Sequence, residues 1–291
     1  PILKGGMNVT VEAYYLPKSL DEALAMLAED DGSLMVMGGG TVAMPLINEG
    51  VSAPEKILGL RQVGLNYIRQ NETSVTIGAT TTLTQMLDLD SIPVLQEAAR
   101  NSAAWAIRNM ATVGGNLFVP PPAGDFSTAL LALDAELVLV RKGGQRMVPV
   151  ADFYTGFMSN VLRADELLAE IKVPIPDGAT AFIKYGRRTS NTPAVVTVAA
   201  HLKMAGKQVK QARLALNGVG PHPLRARAAE AVLEGAGLDE QSIAQAAEAA
   251  MQEVEPYTDA VASEWYRRKM VGVYVGRALR QIAGQVAGEE G

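Results

Sequence analysis

The chain contains no cysteine and only two histidines, His201 and His222. Without cysteine there is no disulfide, no thiolate nucleophile, no iron–sulfur cluster ligated by this chain and no cysteine-based zinc site. The histidines stand in unrelated settings, so neither a metal centre nor a Ser-His-Asp triad is expected. Basic residues number 26 against 31 acidic, and they cluster only at Arg187-Arg188 and Arg267-Arg268-Lys269, which speaks against nucleic acid as a partner. No apolar run approaches the roughly 18 residues needed to span a bilayer. Pro1 to Gly6 lacks the charged start, apolar core and cleavage site of a secretory signal, so a cytoplasmic location is expected. Met7 reads as a natural start, with the first six residues an extension or tag remnant. Any redox or hydrolytic chemistry therefore has to come from a bound cofactor.

What the chain does have is glycine, placed in two loops. Met37-Gly38-Gly39-Gly40-Thr41 follows the apolar run Leu34-Met35-Val36, and Met110-Ala111-Thr112-Val113-Gly114-Gly115-Asn116 runs on to Pro120-Pro121-Pro122-Ala123-Gly124-Asp125. Adjacent glycines leave backbone N–H groups uncovered for an anion or a polar ligand, and equally close strand turns that hold no ligand. Neither loop fits a P-loop or G-x-G-x-x-G, so spacing alone names no ligand.

In chain order, Tyr14 to Lys18 reads as extended, and Ser19-Leu20-Asp21-Glu22 as a capping box that opens a helix to about Leu27. A strand over 34–37 completes a βαβ-like lobe. Strands follow at 56–58, 66–68 and 73–79, then a helix near Leu83 and another from Pro93, with Ser91 as its cap, running to about Ala106 and straight into the second glycine loop. Residues 129–133 suggest a helical turn, 136–140 a strand, Gly143-Gly144 a hairpin, 152–155 a helical stretch and 168–173 a strand. Pro174 to Gly178 is a boundary, giving lobes over 1–58 and 59–176 and a domain over 177–291. That domain reads as three antiparallel strands (181–188, 194–204, 207–217) and helices over 223–234, 239–253 and 263–287. In its second strand Val196, Val198, Ala200 and Leu202 alternate with His201 and Lys203, a pattern expected of a sheet solvated on one face, with His201 at the surface. His222, between two prolines, has a structural setting.

Taken together, these strings resemble the FAD-binding medium subunit of the molybdenum hydroxylases, the flavoprotein of carbon monoxide, xanthine and nicotinate dehydrogenase systems. The resemblance rests on Gly38 to Val42, Ile77-Gly78-Ala79, Arg108 to Asn116, Pro122 to Asp125, Ala129 to Ala135, Lys184 to Arg188, Leu216 to Val219 and Ser263 to Arg268. It implies an α+β fold: a two-lobed vanillyl-alcohol-oxidase (PCMH)-type FAD-binding domain followed by the C-terminal sheet and helices.

The resemblance further implies that Val36, Met37, Gly38, Gly39, Gly40, Thr41, Val42 and Ala43, with Thr112, Val113, Gly114, Gly115 and Asn116, wrap the FAD pyrophosphate and ribityl chain through backbone N–H groups. Glycine is then expected where the phosphates come closest. Asp125 would accept from a sugar hydroxyl, and Leu168 and Lys184 would lie near the adenine and flavin regions. FAD would be held non-covalently, because cysteine is absent and neither histidine lies in the FAD strings. The implied function is electron relay. Electrons would arrive from a small [2Fe-2S] subunit, fed by a large molybdenum-cofactor subunit, and leave through FAD to NAD⁺, a quinone or oxygen, in a dimer of heterotrimers. This chain departs from the family pattern at Val42, where a polar residue is usual, and at Asn191-Thr192-Pro193, where relatives carry an acidic or bulky residue beside the flavin. The alternatives are a self-contained FAD oxidase or reductase and a flavin-free scaffold subunit.

Overall fold

The computed structural model describes residues 11–189 and 191–289, so the reading of Met7 as a start lies outside the described residues. The chain opens with β1 (Ala13–Tyr15), α1 (Leu20–Glu29), β2 (Leu34–Met37), α2 (Ala43–Asn48) and β3 (Lys56–Gly59). The three strands form a parallel sheet ordered β1-β3-β2. The Ser19 side chain caps α1 by accepting from the Glu22 amide, and the Glu22 carboxylate accepts from the Lys18 amide. Leu24 and Leu27 of α1 and Leu58 of β3 bury against Val138 and Val140 of the next sheet.

That sheet collects β4 (Ile68–Gln70), β5 (Ser74–Gly78), β6 (Glu136–Arg141), β7 (Gly144–Pro149) and β10 (Leu167–Pro174) in the antiparallel order β4-β5-β10-β6-β7. Between β5 and β6 lie α3 (Pro93–Asn101), α4 (Trp105–Arg108), α5 (Val113–Asn116) and α6 (Asp125–Ala132), and a small hairpin, β8 (Tyr154–Gly156) with β9 (Ser159–Asn160), precedes β10.

Several elements differ from their sequence reading. The helix expected near Leu83 is a 3-10 turn over Gln85–Asp88, and that expected at 152–155 is a 3-10 turn over Val150–Asp152. Helix α3 is capped at Ile92 without a side-chain bond, while the Ser91 hydroxyl donates to Gln70. Nor does α3 run on to Ala106. The helix ends where Ser102 turns extended (φ −84°, ψ 127°); Ala103 follows in the left-handed region with φ 51°, and the Arg108 guanidinium holds the break by donating to the carbonyls of Ser102 and Ala103. The second glycine loop is itself one helical turn, α5.

The last part of the chain is β11 (Ala179–Gly186), β12 (Ala194–Ala205), β13 (Gln208–Asn217), β14 (Leu224–Arg225), α7 (Arg227–Leu233), α8 (Glu240–Glu253) and α9 (Glu264–Glu289). The sheet has four strands rather than three, because Leu224-Arg225 pairs with β13 before the helices begin. One face carries Val198, Ala200 and Leu202 against Ile243, Val271, Leu279 and Ile282 of the helices. Its other face is not solvated: Phe182, Ala199 and Ala215 join the core of the preceding domain with Phe126, Leu130 and Leu95. Alanine at 199 and 215 leaves room for α6 to approach closely, and the unbroken buried run from Ala194 to Leu202 is the mark of a strand covered on both sides.

His201 lies on that second face and is buried, 4% exposed, contrary to its reading as a surface residue. Its Nδ1 accepts from Arg213 at 3.2 Å, and its Nε2 makes no hydrogen bond, lying 3.9 Å from the exposed Asp177 carboxylate. Burial, reinforced by the charges of Arg213 and Arg225, pushes the imidazole down from 6.5 to about 4. Between those pH values the unfolded chain binds a proton that the folded chain refuses. The stabilisation is therefore complete above pH 6.5 and is lost as the pH falls towards 4, by at most about 3 kcal/mol. Urea unfolding at pH 7 and pH 5 should show a drop in stability for the wild-type chain that His201→Gln reduces; equal pH slopes for the two would contradict the burial of a neutral imidazole.

Candidate cofactor site

The end of β2, the N-terminus of α2, α5 and the start of α6 converge on a cleft of about 670 Å³, in the size range of a small-molecule site. Strand β2 delivers Gly38 to Val42 at its C-terminal end, where a parallel strand exposes the loop that follows it. The backbone N–H groups of Gly38, Gly39, Gly40, Thr41 and Val42 make no hydrogen bond among the described residues, so a run of free donors faces the cleft at the start of α2.

The second loop has another role. Val113 donates to Thr81, Gly114 to Ala79, Gly115 to the Thr112 hydroxyl and Asn116 to the Thr112 carbonyl, so these amides are spent within the protein. The glycines serve close packing between protein segments. A Cβ at Gly39 would run into the Met110 carbonyl. One at Gly38 or at Gly115 would lie 2.8 Å from the Thr112 hydroxyl oxygen, and one at Gly114 would lie 2.7 Å from the Ala79 carbonyl oxygen. Gly114 lines the cleft, and Ala79 fills the space a side chain there would take, so glycine is required at this position by packing alone. The two glycine loops touch, and the second braces the first.

Of the residues singled out from sequence, Val36 to Ala43, Thr112, Gly114, Gly115, Asn116, Asp125, Leu168 and Lys184 all line the cleft. Val113 does not; its side chain is fully buried in the core beneath α5. Ala79 of the Ile77-Gly78-Ala79 string lines the cleft too, and Ser102, Ala103, Phe118, Leu162 and Leu167 do so without a sequence signal of their own, since only folding brings them there. Asn191, Thr192 and Pro193 close one side.

Asp125 is the one carboxylate in the lining, and it is spoken for. Its Oδ2 accepts from Lys184 Nζ at 2.6 Å and its Oδ1 from the Thr197 hydroxyl at 2.9 Å. Burial pushes the Asp125 carboxyl up from its ordinary value, while the Lys184 ammonium and the Thr197 hydroxyl oppose the rise. The pair is neutral overall, so the cleft turns no uncompensated negative charge towards an anionic ligand. Asn116 accepts from the Phe126 amide through Oδ1, leaving its NH₂ available.

Residues 7–176 match the family model of the FAD binding domain in molybdopterin dehydrogenase, and 181–282 match the CO dehydrogenase flavoprotein C-terminal domain. The chain belongs to the family of FAD-binding medium subunits of molybdenum hydroxylases. It is 30% identical to the glyceraldehyde dehydrogenase medium chain of Sulfolobus acidocaldarius, over 93% of this chain and 98% of that one. It is 27% identical to the xanthine dehydrogenase FAD-binding subunit of Escherichia coli O157:H7, over 95% and 98%. Among solved structures it is similar to carbon monoxide dehydrogenase from Hydrogenophaga pseudoflava (TM-score 0.90, 31% identity, 94% and 98% covered) and to quinoline 2-oxidoreductase from Pseudomonas putida 86 (TM-score 0.89, 29% identity, 95% and 98% covered).

This medium subunit is an FAD-binding oxidoreductase subunit of α+β fold. Its relatives are named as a medium chain and an FAD-binding subunit, each one chain of a larger dehydrogenase. The cleft fits FAD: it offers a row of free amides, a neutralised carboxylate and an otherwise uncharged, largely apolar wall. Among the described residues no helix is long and apolar enough to cross a membrane.

Gly39→Ala and Gly114→Ala should each destabilise the chain by about 1–3 kcal/mol, because a backbone or Ala79 atom must move to admit the methyl group. Thermal unfolding of the apo variants measures this. Wild-type stability of Gly39→Ala would mean that the two loops do not brace each other, and of Gly114→Ala that the second loop is not packed on Ala79.

Proposed function

We propose that the N–H groups of Gly38 to Val42 hold the FAD pyrophosphate, with the positive end of α2 behind them, and that Asp125, Lys184 and Asn116 face the ribityl and flavin end. Leu168 lies along the apolar wall that receives a ring. The observation carrying this is the row of five consecutive amides that make no hydrogen bond among the described residues, on residues that line the cleft. Charge-assisted bonds from two or three of them, at roughly 1.5–3 kcal/mol each, add to the burial of the rings against the apolar wall without need of a basic side chain. Val42, where the family resemblance leads one to expect a polar side chain, offers only its backbone N–H.

Bound FAD supplies the redox chemistry, taking electrons from a small [2Fe-2S] subunit supplied by a large molybdenum-cofactor subunit and delivering them to an acceptor. The residues of this chain bind and orient the cofactor and leave an edge open. A second recess, sharing Lys184 and Thr192 with the main cleft, is lined by Asn101, Arg187 and Arg188. Its cationic wall suits an anionic acceptor, which favours NAD⁺ over a quinone or oxygen. The complex would work in the cytoplasm as a dimer of heterotrimers.

A visible spectrum of the purified chain should show flavin bands, with FAD released intact on denaturation, and affinity purification from its host should bring down molybdenum and iron. Reduced anaerobically, the flavin should reoxidise faster with NAD⁺ than with a quinone or oxygen, and Arg188→Ala should slow the NAD⁺ reaction. A colourless chain that takes up no added FAD would sink the cofactor placement; faster reoxidation by quinone or oxygen would sink the choice of acceptor.

A further inference from the structure

The strings Leu216 to Val219 and Ser263 to Arg268 do not line the cleft, yet their residues grip the segment that does. Pro120-Pro121-Pro122 leads into Ala123, Gly124 and Asp125, which form one wall. Prolines have no N–H to give, so the shape of this strap depends on what its carbonyls and the Asp125 carboxylate accept. The donors come from the C-terminal sheet. Asn217, fully buried at the end of β13, donates from Nδ2 to the Ala123 carbonyl at 2.9 Å, and the Ala194 amide donates to the Pro122 carbonyl at 3.3 Å. Thr197, also fully buried, and Lys184 hold the two oxygens of Asp125.

Arg267 on α9 stands behind these donors. It is wholly buried, and its Nη1 donates to the carbonyls of Ala194 (3.1 Å), Val195 (2.7 Å) and Gly218 (2.9 Å), while Nη2 is bidentate on Asp259. It thereby ties the start of β12 to the end of β13, the two places from which Ala194 and Asn217 reach the strap. Gly218 has φ 79°, and a Cβ there would lie 3.3 Å from Arg267 Nη1 and 3.4 Å from Pro122 Cβ. The turn after Asn217 is therefore as close-packed as the strap it holds.

We infer that Asn217 and Thr197, supported by Arg267, are positioning residues through which the C-terminal domain shapes the FAD cleft. Cofactor affinity in the N-terminal domain then depends on hydrogen bonds made from the C-terminal one. The inference rests on the placement of FAD in this cleft.

The test uses the full chain, stripped of flavin and titrated with FAD by fluorescence, with visible circular dichroism of the bound flavin as the second readout. Thr197→Val exchanges a hydroxyl for a methyl group of the same shape, so the sheet is retained while the bond to Asp125 is lost. It should weaken FAD binding about three- to tenfold and alter the visible circular dichroism, whereas Thr197→Ser should keep wild-type values. Asn217→Ala should weaken binding at least as much; should it fail to fold, the Thr197 pair carries the test. Wild-type FAD affinity and visible dichroism in folded Thr197→Val would overturn the inference, and so would equal losses in the valine and serine variants, which would make the effect one of packing. If the wild-type chain itself bound no FAD, the cofactor placement would fall and this inference with it; wild-type binding with unaffected variants would overturn the inference alone.

Discussion

The pairing of Asp125 with Lys184 is the interaction on which the arrangement depends. Both side chains are nearly inaccessible, and taking a carboxylate and an ammonium out of water costs several kcal/mol each. That cost is offset only because the two meet at 2.6 Å and because Thr197 and the Asn101 carbonyl satisfy further positions. The pair joins α6 to β11 and β12, across the line between the FAD-binding domain and the C-terminal domain. Around it Phe126, Leu130, Phe182, Ala199 and Ala215 form one continuous core. Two domains that look separable in sequence are thus one packed body at the point where the cofactor wall begins.

Within the cleft the two glycine loops divide the work. The first is left with unpaired amides at the end of a parallel strand, where an anion can be met by backbone alone. The second spends its amides on Thr81, Ala79 and Thr112 and gives the first something rigid to lean on. This explains why glycine is needed in both although only one offers donors: close approach of backbone to backbone needs a missing Cβ as much as close approach of phosphate does. Among the described residues that line the cleft, the one carboxylate and the one ammonium are committed to each other, which leaves redox chemistry to a bound cofactor.

Local signals were legible where the physics is local. The capping box at Ser19, the strand leading into Gly38 and the amphipathic C-terminal helices each follow from spacing over a few residues. The end of α3 was not, because Ser102 turns extended and Ala103 left-handed in a break that Arg108 holds in place, and no residue type announces that. His201 was misread for a related reason. Period-two alternation tells which residues share a face but not what lies over it, and α6 comes from more than sixty residues upstream to cover the face that carries the histidine.

By itself the sequence determined the chemistry that is excluded, the order of the elements and the residues available to a cofactor, because composition and short-range pattern are properties of the chain alone. Tertiary structure decided which amides stay free, which glycines serve packing, and that Asp125 is claimed by Lys184 and Thr197 before any ligand arrives. Those outcomes depend on contacts between segments far apart in the chain, where burial and hydrogen-bond pairing are settled only once the domains close on each other.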